Sequence, residues 1–258
     1  MSFSYEELAE IRHYIHQHPE LSGQEYQTTA FLRERLEKLG IRILESGLKT
    51  GLIAEIGSGK PVVALRADID ALPILEQTNL PYQSQHPGVM HACGHDFHQT
   101  SLLGAAALLK EKEDQLEGTI RLIFQPAEEI SEGASDVLAT GLLEDVQGII
   151  GFHNMPQLKA GQLALNAGAM MAGVEKFKVT VTGVSSHAAR PDLGVDTVTA
   201  VTTMVQNVQL LISRTVSPFE TAVLSITHLD VGSTWNVLPK SGYFEGTIRS
   251  FNRVCKES

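Results

Sequence analysis

The chain has 258 residues, 43% of them hydrophobic and 19% charged, and its formal net charge is −10. This size and composition are typical of a globular protein with one large or two ordinary domains. The acidic balance and the lack of Lys/Arg runs argue against a nucleic-acid-binding surface. No apolar segment is long enough to predict a membrane span or a signal peptide, so we expect a cytoplasmic protein.

Predicted helices and strands alternate over the first part of the chain. Two amphipathic helices are predicted first, at residues 5–17 and 25–40. Strands follow at 51–57, 62–70, 119–129 and 148–156, with helices at 98–115 and 133–143. The alternation predicts an α/β fold, a mostly parallel sheet with flanking helices. Apolar runs such as RLIF and GIIGF favour strands that are covered on both faces.

The hydrophobic pattern changes near residue 170. Period-two alternation at 176–183, 221–231 and 241–251 predicts half-exposed strands, with a long helix at about 195–213. This order predicts a smaller βαββ-type α+β sandwich. We therefore expect one domain at residues 1–168 and a second at residues 169–258.

Polar side chains directly follow three of the predicted strands. RADID ends the second strand, QPAEE the third and FHN the fourth. The carboxyl ends of parallel strands form one rim of a sheet, where ligands bind. The residues expected at this rim are Asp68, Asp70, Glu128, Glu129 and His153.

The segment MHACGHDFHQT (90–100) can reach the same rim, because the helix that follows it leads back into the sheet. Cys93, His95, Glu129 and His153 form a mixed S/N/O ligand set that suits zinc, manganese, cobalt or nickel. Gly94 lets the backbone turn so that both close ligands point inward. Of the two adjacent glutamates, one can bind metal while the other acts as general base.

Other interpretations remain open from the residues alone. Cys93 can instead be a nucleophile that a histidine activates, although the glutamates then have no task. It can also be a buried apolar thiol, with His95 a hydrogen-bonded loop residue and Glu128 and Glu129 a solvated acidic loop. We expect His91 and His98 to orient the loop or cap the helix. Three histidines near the N-terminus are expected to lie at a solvated helix end: His13, His16 and His18.

Three polar residues are candidates in the second domain. His187 follows a predicted strand and a Ser-Ser pair, and a rigid turn follows it. Asn236 precedes an apolar-Pro turn, and Arg249 lies at the end of a strand. Such residues can bind an oxyanion or a carboxylate, and each can equally be structural.

Together these segments resemble the M20 metallopeptidase superfamily. The resemblance is to its branch of aminoacylases, hippurate hydrolases, indoleacetyl-amino-acid hydrolases and N-acetyl-diaminopimelate deacetylases. The matching segments run in family order: HQHPELSGQE (16–25), RADIDALP (66–73), MHACGHDFH (90–98), FQPAEE (124–129), GFHNMP (151–156), SSHAARPDLGVD (185–196) and NVLPKSGYFEGTIRSF (236–251).

The resemblance implies a metal-dependent amidohydrolase with two divalent ions (Zn, Mn, Co or Ni), which hydrolyses the amide bond of N-acyl-amino acids. Residues 1–168 would form its metal-binding catalytic domain. Glu128 matches the general base, which deprotonates the attacking water, and Asp70 matches a supporting acidic residue. The role of Asp68 stays open. The positions that match the metal ligands are Cys93, His95, Glu129 and His153.

The same resemblance makes residues 169–258 a lid and dimerisation domain. His187 matches a lid residue that stabilises the oxyanion in the partner's active site of dimeric relatives, so we expect a homodimer. Asn236 and Arg249 match lid positions associated with substrate binding. No nucleic acid or membrane is expected as a partner.

Relatives in this family continue beyond the third lid strand, and their further segment carries one more His ligand. We therefore expect a C-terminally truncated chain, with both domains incomplete. Two hypotheses follow, an active amidohydrolase and a catalytically impaired metal-binding remnant or assembly protein.

Overall fold

The computed structural model describes residues 3–251, and Cys255 lies outside this range. The chain forms two compact units, one that ends at Gln157 and one that begins at Leu158. The boundary between the two domains was predicted from the sequence to follow residue 168. Residues 158–172, which follow the first unit, contain neither helix nor strand. Within residues 3–251, every helix is too short or too polar to cross a membrane.

The first unit contains four α-helices, one short 3-10 helix (Glu113–Gln115) and five strands among its described residues. Its first helix begins with a capping box, in which Ser4 and Glu7 satisfy each other's backbone N–H groups. The elements are α1 (Tyr5–Gln17), α2 (Tyr26–Lys38), β1 (Arg42–Leu44), β2 (Leu52–Ser58), β3 (Val62–Asp68), α3 (His95–Lys110), β4 (Gly118–Gln125), α4 (Gly133–Ala139) and β5 (Val146–Gly151).

The strands form one sheet in the order β1-β2-β4-β3-β5. The predicted α/β class is confirmed, and the sheet is mixed where the sequence predicted a mostly parallel one. β3 runs parallel to both β4 and β5, whereas β2 runs antiparallel to β1 and β4. The physical reason is the connection at residues 59–61, which is too short for the crossover that parallel strands need.

Apolar side chains on both faces of the sheet form the core of the first unit. On one face Leu32, Leu103 and Phe124 are buried in a cluster that helices α1, α2 and α3 share with the sheet. A smaller cluster on the other face includes Val137 of α4. β4 is buried along nearly its whole length. Burial of the GIIGF run was wrongly expected, because Ile150 is 68% exposed on β5, an edge strand.

The second unit has the predicted β-α-β-β order. Its three long strands pair antiparallel in the order β6-β10-β8, and α5 packs on this sheet, in which Phe244 is buried. Two short strands, β7 and β9, form a separate pair. The elements are β6 (Gly173–Thr182), β7 (Ser186–His187), α5 (Thr197–Val208), α6 (Leu210–Thr215), β8 (Ala222–Val231), β9 (Val237–Leu238) and β10 (Ser241–Ser250).

Candidate metal centre

Three parallel strands bring the predicted rim residues together. Asp68 is the last residue of β3, Glu128 and Glu129 follow β4, and His153 follows β5. Because β4, β3 and β5 are neighbours and run parallel, these residues lie at the same end of the sheet. α3 begins at His95, which is fully buried, and thereby brings the MHACGHD segment to this end.

Gly94 gives the backbone the turn that places Cys93 and His95 side by side. Its φ of 88° is left-handed, a conformation that glycine adopts without steric cost. A Cβ atom at this position would lie 2.5 Å from Asn154 Oδ1, so the loop after β5 packs directly on Gly94. As a result Cys93 Sγ lies 3.3 Å from His153 Nε2.

Asp70 fixes the orientation of two predicted metal ligands. His95 Nδ1 lies 3.2 Å from Asp70 Oδ1 and 2.9 Å from its backbone oxygen. Asp70 Oδ2 accepts hydrogen bonds from Ser22 Oγ at 2.7 Å and from the Glu129 amide at 3.0 Å. Burial raises the pKa of Asp70, but these three donors outweigh it and hold the pKa below its usual value. An ionised Asp70 therefore accepts a hydrogen bond from His95 Nδ1–H, and this leaves Nε2 on the side of the ring that faces Glu129.

Two side-chain atoms in the centre are suited to bind a metal cation. His95 Nε2 and Glu129 Oε1 are buried 3.7 Å apart, and neither has a hydrogen-bond partner within residues 3–251. Burial lowers the pKa of His95, but Asp70, Cys93 and Asp68 raise it to about 11, so the surroundings of this ring favour positive charge. Donor atoms within 4.8 Å of one another occur in three sets: Cys93, His95 and His153; His95, Glu128 and Glu129; Asp68, His95 and His98. The mixed S/N/O set suits zinc and its neighbours.

The surroundings of Glu128 disfavour its negative charge. Burial raises the pKa of Glu128, and the negative charges of Asp68 and Glu129 raise it further, against the opposing charges of His95 and Arg66. A carboxylate with a raised pKa accepts a proton more readily near neutral pH. This environment distinguishes Glu128 from a solvated loop carboxylate.

Asp68 is held in a buried hydrogen-bond network. His98 Nδ1 lies 2.6 Å from Asp68 Oδ1, and Arg66 Nη1 donates to Asp68 Oδ2 at 2.7 Å. Burial raises the pKa of Asp68, but His98, His95 and Arg66 together lower it to about 2. His98 Nε2 in turn contacts the side chain and backbone amide of Asn154, at 2.5 and 3.0 Å. His98 thus contacts the loop that carries His153, whereas it was expected to orient the MHACGHD loop or to cap the helix.

Some residues around the centre were missed by sequence reasoning or misjudged. Ser22 and Asn154 lie in segments that matched the family, but neither residue carries a pattern that marks its role. The expectation of a solvated helix end is wrong for His16, because this side chain is buried and its Nδ1 lies 2.9 Å from Asp96 Oδ2. His91 is buried as well, and burial lowers its pKa to about 4.

The second unit brings two of its three predicted residues together. His187 on β7 pairs with Val237 on β9, and Asn236 immediately precedes that strand. The Ala189 amide donates to His187 Nδ1 at 3.1 Å, which places the proton of a neutral ring on Nε2. Arg249 lies at the far end of β10, about 25 Å along the strand from its start, and so apart from the other two.

Residues 64–234 match the model of peptidase family M20/M25/M40. The chain is 48% identical to an N-acetyl-L-cysteine deacetylase of Bacillus subtilis, covering 95% of this chain and 60% of the relative. It is 42% identical to the IAA-amino acid hydrolase ILR1-like 5 of Arabidopsis thaliana, covering 93% of this chain and 55% of the relative. The chain thus spans little more than half the length of these curated relatives.

A solved structure shares the architecture. It is the YXEP protein of Bacillus subtilis, described as a dinuclear metal-binding peptidase from the M20 family. The TM-score is 0.81 at 43% sequence identity, over 97% of this chain and 65% of the other.

Proposed function

Because the chain belongs to peptidase family M20/M25/M40, we propose that it is a metal-dependent amidohydrolase that cleaves the amide bond of N-acyl-amino acids. The observation that carries the proposal is a pair of buried atoms without a hydrogen-bond partner, His95 Nε2 and Glu129 Oε1, which lie close to Glu128, a carboxylate with a raised pKa. The relatives named as an N-acetyl-L-cysteine deacetylase and an IAA-amino acid hydrolase support this substrate class.

The proposed metal ligands are Cys93, His95, Glu129 and His153. The mixed donor set suits zinc, manganese, cobalt or nickel, and the dinuclear relative supports two ions for each site. Bound metal supplies Lewis-acid polarisation of the amide carbonyl and makes water more acidic. The free thiol of Cys93 must stay reduced to bind metal, which is the reason to place the chain in the cytoplasm.

Glu128 carries the proton transfers in this proposal. It accepts a proton from the attacking water and then delivers that proton to the leaving amine nitrogen, so the carboxylate is regenerated after each turnover. Asp70 keeps His95 and the Glu129 amide in position throughout. Asp68 remains ionised at neutral pH and holds His98.

The second unit supplies substrate contacts in this proposal. His187, with its proton on Nε2, is suited to donate a hydrogen bond to the oxyanion, and it does so to the active site of a second copy. Asn236 binds the substrate at the same site as His187, whereas Arg249, which lies apart from both, binds the substrate of the other active site. The proposal therefore includes a homodimer, and sedimentation analysis of the chain measures its mass in solution.

The test of the function is the substitution Glu128→Gln. We expect loss of hydrolysis of N-acetyl- and N-benzoyl-amino acids by at least about 100-fold, because an amide cannot accept the proton. Metal content, measured on the same samples, should stay at the wild-type value. Glu132→Gln, an exposed glutamate of the same loop, is the matched control and should retain activity.

Other outcomes contradict the proposal in distinct ways. Full activity of Glu128→Gln would remove the base assignment. Metal binding without turnover in the wild-type chain would favour the metal-binding remnant. Inactivation by a thiol reagent, with no effect of a chelator, would favour Cys93 as the nucleophile, which the 3.3 Å contact with His153 also permits.

A further inference from the structure

Glu25 is a buried carboxylate that contacts the loop carrying the glutamates of the proposed metal centre. It precedes α2, and its exposed fraction is 0%. The amide of Ala127 donates to Glu25 Oε1 at 2.8 Å, and Thr50 Oγ1 donates to Glu25 Oε2 at 2.8 Å. Both carboxylate oxygens are thus engaged by neutral donors inside the protein.

The backbone conformation of Ala127 needs such an anchor. Its φ is 50°, in the left-handed region, where the Cβ atom of alanine is sterically disfavoured. Strained conformations of this kind persist when the surrounding contacts determine them, and they concentrate at functional sites. The turn at Ala127 sets the direction in which Glu128 and Glu129 leave β4.

Glu128 lies between two anchored amides. On its N-terminal side the Ala127 amide donates to Glu25, and on its C-terminal side the Glu129 amide donates to Asp70. The two acceptors are buried carboxylates from different parts of the chain, the start of α2 and the end of β3. The Pro126–Ala127 and Glu128–Glu129 peptide units are therefore fixed in orientation.

We propose that Glu25 is a positioning residue, which holds the left-handed turn at Ala127 and so directs Glu128 and Glu129 into the metal centre. It acts as the counterpart of Asp70 on the other side of Glu128. The effect of Glu25 on the metal centre rests on the proposed function. The hydrogen bond from the Ala127 amide to Glu25 does not depend on it.

The first test measures amide hydrogen exchange of the whole chain. In Glu25→Ala, exchange at residues 127–129 should rise at least ~10-fold, because the anchor of the Ala127 amide is lost. Glu25→Gln keeps an acceptor oxygen and should remain near wild type, and Thr50→Val should give a smaller rise. Unchanged exchange in Glu25→Ala would overturn the inference, whether or not the chain binds metal.

Glu20→Ala is the matched control. Glu20 accepts from the amides of Gln27 and Thr28 at the start of α2 and does not contact the Ala127 turn in the structure. Its loss should raise exchange at the start of α2 and leave residues 127–129 unchanged. If both variants raise exchange at 127–129 equally, Glu25 acts only through helix α2 and the inference is wrong.

The second test uses cobalt(II) as the metal probe. In wild type we expect a charge-transfer band from the Cys93 thiolate and visible bands that report the full ligand set. Glu25→Ala should keep the thiolate band and shift the visible bands, because Glu129 is displaced, whereas unfolding would remove both. Unshifted visible bands would overturn the positioning role. Absence of any cobalt band in wild type would overturn the proposed function, and hydrogen exchange would still decide whether Glu25 holds the turn.

Discussion

At the scale of single residues, Gly94 carries two independent constraints. Its φ is left-handed, and the side chain of Asn154 occupies the space that a Cβ atom would need. The first constraint costs any other residue backbone energy, and the second adds a steric clash with the loop that positions His153. A second left-handed glycine with open space around it separates the backbone cost from the steric cost.

We expect Gly94→Ala to destabilise the chain by about 3 kcal/mol, of which roughly 1 kcal/mol is backbone strain and the rest overpacking. Gly88→Ala is the control, since Gly88 is also left-handed but has open space around it, and it should cost only about 1 kcal/mol. Urea unfolding measures both values. Equal losses in the two variants would show that Asn154 moves aside without cost.

The sequence indicated some residues of the candidate site and not others. Cys93, His95, Glu129 and His153 could be named because each follows a strand or precedes a helix at one sheet edge. The contact of Glu25 with Ala127 could not, because the two residues are 102 positions apart and the segments that contain them, HQHPELSGQE and FQPAEE, do not indicate that they touch. The left-handed conformation of Ala127 also could not be predicted, because no sequence pattern indicates it at an alanine.

At the scale of elements, α1 is joined to α3 by a buried polar contact. His16 on α1 contacts Asp96 on α3, and Arg12 on α1 donates to the same carboxylate at 3.0 Å. The hydrogen bond with Asp96 raises the pKa of His16, against the opposing effect of burial, and Glu76 raises it further. The charged imidazole therefore stabilises the pairing of the two helices.

This contact predicts a pH dependence of stability. A raised folded-state pKa means that the contribution of His16 is fully present below the unfolded value of about 6.5 and is lost as pH rises through the folded value. The difference in unfolding free energy between wild type and His16→Gln should therefore narrow as the pH rises above about 6.5. Asp96→Asn should show the same narrowing. A difference that widens with pH would contradict the assignment.

Long amphipathic elements were predictable, and the sheet order was only partly so. The periodicity of Leu8, Ile11 and Ile15 predicted α1 with its observed limits. The three-residue strand β1 was missed, because so short an edge strand has no periodicity to detect. The antiparallel pairing of β2 with β4 was missed, because local sequence patterns do not show which strands become neighbours in the sheet.

At the scale of the whole molecule, ligand binding and folding are linked. The proposed metal ligands come from three separate segments, which only the folded first unit brings together. A cation that binds the folded chain alone stabilises it by about 2.7 kcal/mol when its concentration is 100 times its Kd.

We therefore expect zinc to raise the melting temperature of the chain and a chelator to reverse the rise. Magnesium should have little effect, since it prefers an all-oxygen ligand set. Cys93→Ser should reduce the zinc-induced rise by removing the thiolate ligand. Thermal unfolding followed by circular dichroism measures these shifts, and an equal rise in Cys93→Ser would exclude the thiolate as a ligand.

The position of β4 between β2 and β3 has a consequence for the growing polypeptide during translation. β3 leaves the ribosome before either of its neighbours, and residues 69–117 must be synthesised before β4 can pair with it. Its polar C-terminal residues therefore gain their surroundings only after β4, and the last proposed ligand, at position 153, emerges later still. The proposed ligand set is therefore complete only after this long-range pairing, which limits folding speed.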